Sequence, residues 1–361
     1  MRIYETARAL AERHNVHVVC QRYPKTDRES IIEGIHVHRV GFVQSQIHYL
    51  QRLVFSPFLL PSLLKIRFDI INTSWLLPPI ISYASAKITK TPIVFTSDGI
   101  LWGNVISNQI RGYGFIREAF GRMMEDIDLK PDYDGYIAVS QGTKSELTLM
   151  GIHPSKVFVV PNGVDLDLVD SVEAMRAKAP TICYVGHLEP RKNIMDLIEA
   201  FKIVLQEVPI ARLLVVGSGN LMGEAMERAK ALAIKENIEF KGALPHEEAI
   251  KTMKTSDCLV LPSLIEGFGI VLAEANACHR PAIAYDIPNV RDVIKDGFNG
   301  FLVKPRNIKM LTSRIIEILS DRKKGKKMGE NGRRLVEEKF TWRKVAEQTL
   351  NVYRKVLELS I

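Results

Sequence analysis

The chain alternates between short β-rich runs and helix-length segments, and this alternation limits the fold more than any other feature. A first series contains VHVVC, IHVHRV, DIINTS, TPIVFTS, GYIAVS and VFVVPNG, and a second contains TICYVGH, ARLLVVGSG, NIEFKGAL, DCLVLPS, RPAIAYD and GFLVKP. The polar linker SVEAMRAKAP separates the two series. Strands that alternate with helices form parallel sheets covered on both faces. The pattern therefore predicts an α/β protein with two doubly wound, Rossmann-like domains.

The length of 361 residues agrees with two domains. We predict a first domain over residues 1–165, a second over 166–342, and a C-terminal helix at 343–361 that returns to the first domain. Ligands of open α/β sheets bind beyond the carboxyl ends of the strands. A cleft facing both sheets is therefore the expected site.

Composition and net charge limit the classes of binding partner that we expect. The chain is 46% hydrophobic and 25% charged, as in ordinary globular proteins, and its net charge of +8 favours anionic partners such as nucleotide phosphates or an acidic membrane surface. No nucleic-acid-binding signature is present, so we expect no nucleic acid partner. Four cysteines without a CxxC pair predict buried free thiols in a reducing compartment.

We expect a cytoplasmic protein, because the chain has no apolar run of eighteen residues and its first residues lack the apolar core of a secretory signal. One segment, YLQRLVFSPFLLPSLLKIR (Tyr49–Arg67), is apolar with basic flanks. Two interpretations stay open for it: a core helix ahead of the next strand, or a peripheral contact with the inner face of an anionic membrane.

Two turns that follow strands carry phosphate-binding features. In YVGHLEPRKN, Gly186 and His187 lead to a helix start at which Lys192 can reach phosphate oxygens. In LLVVGSGNLMG, Gly217 and Gly219 follow a strand, but Gly223 falls one place late for a dinucleotide fingerprint. A close structural turn, contact with nucleotide phosphate and NAD binding all remain open for the second turn.

The segment LPSLIEGFGIVLAEANAC predicts a strand end, a turn and a helix, with Glu266 and Glu274 on either side of the turn. Backbone N–H groups near Gly267 and Gly269 suit a diphosphate, and the carboxylates suit hydroxyl donors. Over eight residues a helix rises roughly 12 Å, comparable to the distance from ribose to sugar in a nucleotide-sugar. The arrangement favours a nucleotide-sugar site over a turn with a capping acid.

Three Asp-x-Asp pairs occur, at Asp126/Asp128, Asp132/Asp134 and Asp165/Asp167. Their positions relative to the strands favour surface or capping roles over a metal site, and we expect no metal. We also expect no cofactor.

In these motifs and their order the chain resembles the retaining glycosyltransferases of family 4, which have the GT-B fold. The resemblance implies transfer of a sugar from a UDP- or GDP-sugar to a glycan or lipid-linked acceptor, without metal. It implies that Glu274 binds ribose and that Lys192 binds phosphate. From the motifs and the resemblance we predict that Glu266, Lys192 and Asp98 take part in catalysis, although Asp98 could instead serve only to form an Asp-Gly turn. The residues predicted to bind substrate are Gly186, His187, Lys192, Gly217, Gly219, Leu244, Glu266, Gly267, Phe268, Gly269, Ile270 and Glu274.

The chain departs from the family pattern at three places. His187 stands where the family usually has arginine, and Asp98 stands where it often has histidine. The chain also opens on an amphipathic helix, without the leading strand and its Gly-Gly turn. Either the start is internal to a longer reading frame, which we favour, or the protein is degenerate; the upstream DNA would decide.

A hexosyltransferase is thus the leading hypothesis. A non-catalytic nucleotide-sugar-binding subunit and a GT-B nucleotide-sugar epimerase are the alternatives. NAD-dependent oxidoreduction is the weakest, because it leaves Glu266 and Glu274 without a role.

Overall fold

A computed structural model describes residues 2–41, 58–74, 78–107, 110 and 112–359. These residues contain thirteen strands and fourteen helices. The strands are β1 (Val16–Gln21), β2 (Glu29–Ile32), β3 (Ile35–Val40), β4 (Ile71–Ser74), β5 (Ile93–Ser97), β6 (Gly135–Ala138), β7 (Val157–Val159), β8 (Thr181–Val185), β9 (Arg212–Val216), β10 (Ile238–Gly242), β11 (Cys258–Leu261), β12 (Ala282–Tyr285) and β13 (Gly300–Val303).

The helices alternate with the strands over most of the chain. They are α1 (Arg2–Ala11), α2 (58–65), α3 (Pro78–Thr89), α4 (Trp102–Ser107), α5 (Phe115–Leu129), α6 (Gln141–Leu149), α7 (Leu166–Ser171), α8 (Ile194–Glu207), α9 (Met222–Ala231), α10 (His246–Thr255), α11 (Ile270–Ala277), α12 (Ile308–Ser320), α13 (Arg322–Lys339) and α14 (Trp342–Leu359). Each of the twelve β-rich runs contains a strand, so the α/β prediction is confirmed.

The chain divides into two compact units. The first unit comprises Met1–Gly103, Gly114–Asn162 and Trp342–Ile361, and the second unit comprises Asn104–Tyr113 and Gly163–Thr341. The C-terminal helix α14 packs on α1 and β6, so its predicted return to the first unit is confirmed. The domain boundaries drawn from the sequence, after residues 165 and 342, stay a prediction of where independently folding domains begin.

The described strands of the first unit form two sheets. One is parallel, in the order β4-β5-β6-β7, and the other has the order β1-β3-β2. In α2, Leu59 and Leu63 are buried and pack against Val19 and Val40 of the second of these sheets and against Phe68, which precedes β4. Residues 58–67 of the apolar segment thus include part of the core. Residues 49–57 of that segment lie outside the described residues.

Strand β2 was not predicted. It pairs antiparallel with β3, and Ile32 lies opposite Ile35. The two residues between them, Glu33 and Gly34, have φ of 47° and 80°, as a tight two-residue hairpin turn requires.

The second unit contains one parallel sheet of six strands in the order β10-β9-β8-β11-β12-β13. Its first strand, β8, therefore lies between β9 and β11, where the strand order reverses. Helix α8 covers the sheet with a buried face that includes Leu197, Phe201 and Val204. In doubly wound sheets, ligands bind beyond the carboxyl ends of the strands at such a reversal. The segments that follow β8 and β11 are therefore the first place to look for a site.

Three of the cysteines, Cys183, Cys258 and Cys278, are buried and free, while Cys20 is partly buried and free. Within the described residues no helix is long and apolar enough to cross a bilayer.

Candidate functional site

Lys192 and Glu266 meet at the strand reversal of the second unit. Lys192 ends the 3₁₀ turn Pro190–Lys192 that follows β8, and Glu266 lies in the turn between β11 and α11. Because β8 and β11 are neighbours, these turns lie side by side, and the Leu264 N–H donates to the Arg191 carbonyl over 2.8 Å. The Lys192 Nζ lies 2.5 Å from the Glu266 Oε1. The sequence pointed to both residues but not to this ion pair.

Both members of the pair are buried, with 9% and 8% of their surfaces exposed. Burial acts to raise the pKa of Glu266, but the charges of Lys192 and Arg191 outweigh it and hold the pKa below its ordinary value. Glu266 is therefore ionised at neutral pH. The Lys192 ammonium has three N–H donors, of which Glu266 takes one, so it keeps donors for an anionic ligand.

The turn after Glu266 offers further donors. Within the described residues, no acceptor is recorded for the backbone N–H groups of Phe268, Gly269 and Ile270, which open α11. The Phe268 ring is buried against the Phe340 ring, with centroids 5.4 Å apart, so this residue can offer a ligand only its backbone. Unpaired N–H groups at a helix start favour anions.

Glu274 lies in the second turn of α11 and is 5% exposed. Its Oε1 is 2.9 Å from the Nε2 of His246, the first residue of α10. Only Ile270–Ala277 is helical, so half of the eight steps from Glu266 to Glu274 lie in the turn. The helical rise of roughly 12 Å therefore does not measure the separation of the two carboxylates.

His246 is a residue that the sequence analysis missed. It starts a helix with ordinary polar neighbours, in PHEEA, and only the packing of α10 on α11 brings it to Glu274. The hydrogen bond that His246 donates to Glu274 raises the pKa of His246, although burial acts in the opposite direction.

The raised pKa of His246 predicts a pH-dependent stability. The stabilising contribution should be complete below the ordinary pKa of 6.5 and be lost as the pH rises through the raised value. A His246→Gln variant can still donate to Glu274 but does not titrate. We expect wild type to exceed it by about 1 kcal/mol near pH 6, the scale of a partly exposed hydrogen bond to a charge, and the difference to vanish by about pH 9. Urea unfolding across this range measures it; a pH-independent difference would contradict the assignment.

The turn after β9 packs against the turn after β8. Gly186 N–H donates to the Val216 carbonyl over 3.0 Å, and Gly217 N–H donates to the Gly242 carbonyl over 2.7 Å. Gly217 has φ of +134°, and a Cβ placed there would lie 1.9 Å from the Gly186 carbonyl oxygen. A Cβ on Gly219 would lie 2.3 Å from the Leu188 carbonyl oxygen. This contact between turns requires glycine whether or not a ligand binds.

His187 and Leu244 both lie beyond the carboxyl ends of strands in this sheet, His187 after β8 and Leu244 after β10. His187 is exposed, and its carbonyl accepts a 2.9 Å hydrogen bond from the Tyr184 hydroxyl. Leu244 is partly buried in the short connection between β10 and α10.

Asp98 belongs to the first unit, in the loop that follows β5, and its side chain is exposed. The same loop is held from behind by Glu125 of α5, whose carboxylate accepts the backbone N–H groups of Leu101, Trp102 and Gly103 at 2.7–2.9 Å. Burial raises the pKa of Glu125, while these three donors act to lower it. Glu146 of α6 adds a fourth such bond to the loop, from Ile100 N–H at 3.2 Å.

The Asp-x-Asp residues have structural partners. Asp132 pairs with Lys156, Asp134 accepts the Ile93 N–H, and Asp165 caps α7 through the Leu168 N–H. Among the described residues, no group of three or more His, Cys, Asp or Glu side chains could hold a metal ion.

Two family models match the chain. The Glycosyltransferase Family 4 model matches residues 1–168, and the model described as Glycosyl transferases group 1 matches residues 169–335. Together with the fold and the strand reversal they define a GT-B glycosyltransferase. The chain belongs to glycosyltransferase family 4.

Individual relatives agree in class. An uncharacterised glycosyltransferase of Methanocaldococcus jannaschii is 25% identical over 96% of this chain and 91% of its own length. A glycogen synthase of Mycobacterium tuberculosis is 26% identical over 67% of this chain, and the matched part covers 60% of that enzyme's length.

Two solved structures share the fold. Sucrose-phosphate synthase of Thermosynechococcus elongatus superposes with a TM-score of 0.83 at 22% identity, over 99% of this chain and 93% of that one. The structure of the Anabaena protein HepE, in complex with UDP and glucose, superposes with a TM-score of 0.74 at 17% identity, over 97% of this chain and 94% of that one.

Proposed function

We propose that this glycosyltransferase is a retaining hexosyltransferase that takes its sugar from a UDP- or GDP-sugar held by the second unit. The observation that carries the proposal is the buried Lys192–Glu266 pair at the strand reversal. Beside it, the backbone N–H groups of residues 268–270 have no recorded acceptor among the described residues. An ammonium and N–H donors suit a diphosphate, and an ionised carboxylate suits sugar hydroxyls. Glu274 is proposed to accept from the ribose hydroxyls, with the segments after Gly217 and around Leu244 bordering the base.

The proposed reaction breaks the bond between the anomeric carbon and the leaving phosphate oxygen and forms a bond from that carbon to the acceptor oxygen on the same face. The acceptor's proton passes to the departing phosphate oxygen. Lys192 and the amides that open α11 stabilise the charge that develops on the diphosphate. Asp98 is proposed to orient the acceptor hydroxyl.

A glycan or lipid-linked acceptor and a cytoplasmic location, with peripheral contact at the inner membrane face, complete the proposal. The net charge of +8 supports attraction to an anionic surface. Leu59 and Leu63 are buried within the first unit, which favours a core role for this part of the apolar segment.

The proposal is tested by radiolabelled sugar transfer from a panel of UDP- and GDP-sugars to glycan and lipid-linked acceptors. We expect wild type to transfer at least one sugar with retention of anomeric configuration, and Glu266→Ala to lose about 100-fold or more of the rate. Unchanged transfer by the variant would remove Glu266 from the mechanism. Donor binding without transfer or hydrolysis would favour the alternative, a non-catalytic nucleotide-sugar-binding subunit. That alternative is considered because the exposed His187 stands where the family usually has arginine.

A further inference from the structure

We propose that His246 is a positioning residue for nucleotide recognition: it fixes the Glu274 carboxylate so that its second oxygen faces the ribose hydroxyls. This inference rests on the proposed function, in which Glu274 binds ribose. The contact on which it stands is the 2.9 Å approach of His246 Nε2 to Glu274 Oε1.

The direction of this hydrogen bond does not depend on an assumed tautomer. An ionised carboxylate only accepts, so the Nε2 of His246 must carry the proton and donate. Within the described residues, His246 is the one side chain recorded as a hydrogen-bond partner of the Glu274 carboxylate. The remaining oxygen of Glu274 is therefore available for hydroxyl donors.

Glu274 is more deeply buried than His246, which agrees with Glu274 binding the ribose and His246 holding it in place. The Glu274 side chain is 6% exposed, while that of His246 is 32% exposed. A buried carboxylate with a single side-chain partner is oriented by that partner, because it has few other groups to which it can bond. Removing the imidazole would leave Glu274 free to rotate or without a donor on Oε1, at the cost of a lost hydrogen bond to a charged group.

The surroundings of His246 favour a persistent donor. Helices α11 and α7 and strand β8 pack against α10. They present Glu274 from α11 and the α7 cap Asp165, and Glu247 follows on α10 itself. Strand β8, Thr181–Val185, contains no charged residue. The negative charges of these three carboxylates all act to raise the pKa of the imidazole.

The experiment measures nucleotide affinity by calorimetry on the full chain, using UDP, GDP and their 2′,3′-dideoxy counterparts. For the nucleotide that wild type binds more tightly, His246→Ala should weaken the ribose form about tenfold, the scale of one hydrogen bond to a charge, and the dideoxy form less than twofold. His246→Gln keeps a donor and should recover most of the loss. Lys251→Ala, on an exposed part of α10, is the matched control and should bind like wild type.

The outcomes separate this inference from the proposed function. Equal losses for both nucleotide forms, or no loss with His246→Ala while Glu274→Gln abolishes the preference for ribose, would overturn the role of His246 alone. Full ribose preference in Glu274→Gln, or no binding of UDP and GDP by wild type, would overturn the ribose assignment of Glu274 and the inference with it. Circular dichroism checks that each variant is folded.

Discussion

Replacing Lys192 with methionine is expected to destabilise the second unit by about 3–5 kcal/mol and to lower sugar transfer by about 100- to 1,000-fold. The stability loss follows because Glu266, 8% exposed and ionised, would keep its charge in the interior without its cation. The rate loss follows if Lys192 stabilises the leaving diphosphate. Urea unfolding measures the first effect, and initial rates of transfer measure the second.

A double variant separates these two effects. Lys192→Met/Glu266→Gln removes both charges, so it should recover most of the lost stability while transfer stays low. The control is Lys251→Met, whose partner Glu248 is 3.5 Å away at a surface where both side chains are about half exposed. Exposed pairs contribute only about 0–1 kcal/mol, so this variant should unfold like wild type. A Lys192→Met protein as stable as wild type would show that the buried charge is relieved in another way.

A single added methyl group at Gly217 is expected to cost about 3 kcal/mol or more in the free energy of unfolding. Its Cβ would lie 1.9 Å from the Gly186 carbonyl oxygen, in a backbone conformation with φ of +134°. Strain and overpacking each cost about 1–3 kcal/mol. The Gly186 carbonyl cannot easily retreat, because Gly186 N–H is bonded to the Val216 carbonyl between β8 and β9.

Gly223→Ala is the matched control for Gly217→Ala. Gly223 lies in α9, and a Cβ there would meet nothing within 4 Å. Alanine in a helix is favoured over glycine by about 1 kcal/mol, so this variant should be slightly more stable than wild type. Urea unfolding of both variants makes the comparison. Equal stability of the two variants would show that the turns can separate without cost.

The sequence allowed the strands and the glycine turns after them to be predicted, because both are local features. It could not show that Lys192 and Glu266 form a buried pair. The two residues are 74 positions apart, and they meet because β8 and β11 are neighbours in the sheet although β9 and β10 lie between these strands in the chain.

Two features stayed hidden for different reasons. Strand β2 was missed because its turn, Glu33-Gly34, lacks the Asn-Gly or Asp-Gly signal of a two-residue hairpin. His246 was missed because a histidine at a helix start is unremarkable until α10 is seen packed on α11. Both depend on contacts that local residue patterns do not specify.

The hydrogen bonds from the loop after β5 to Glu125 restrict the motion of that loop. One buried carboxylate receives three consecutive backbone donors, so each N–H group that leaves it takes a partner from a group that water does not reach. Detachment of all three donors, from Leu101, Trp102 and Gly103, would leave the Glu125 carboxylate buried without them. We therefore expect this end of the loop to move less than the exposed Asp98 at its other end.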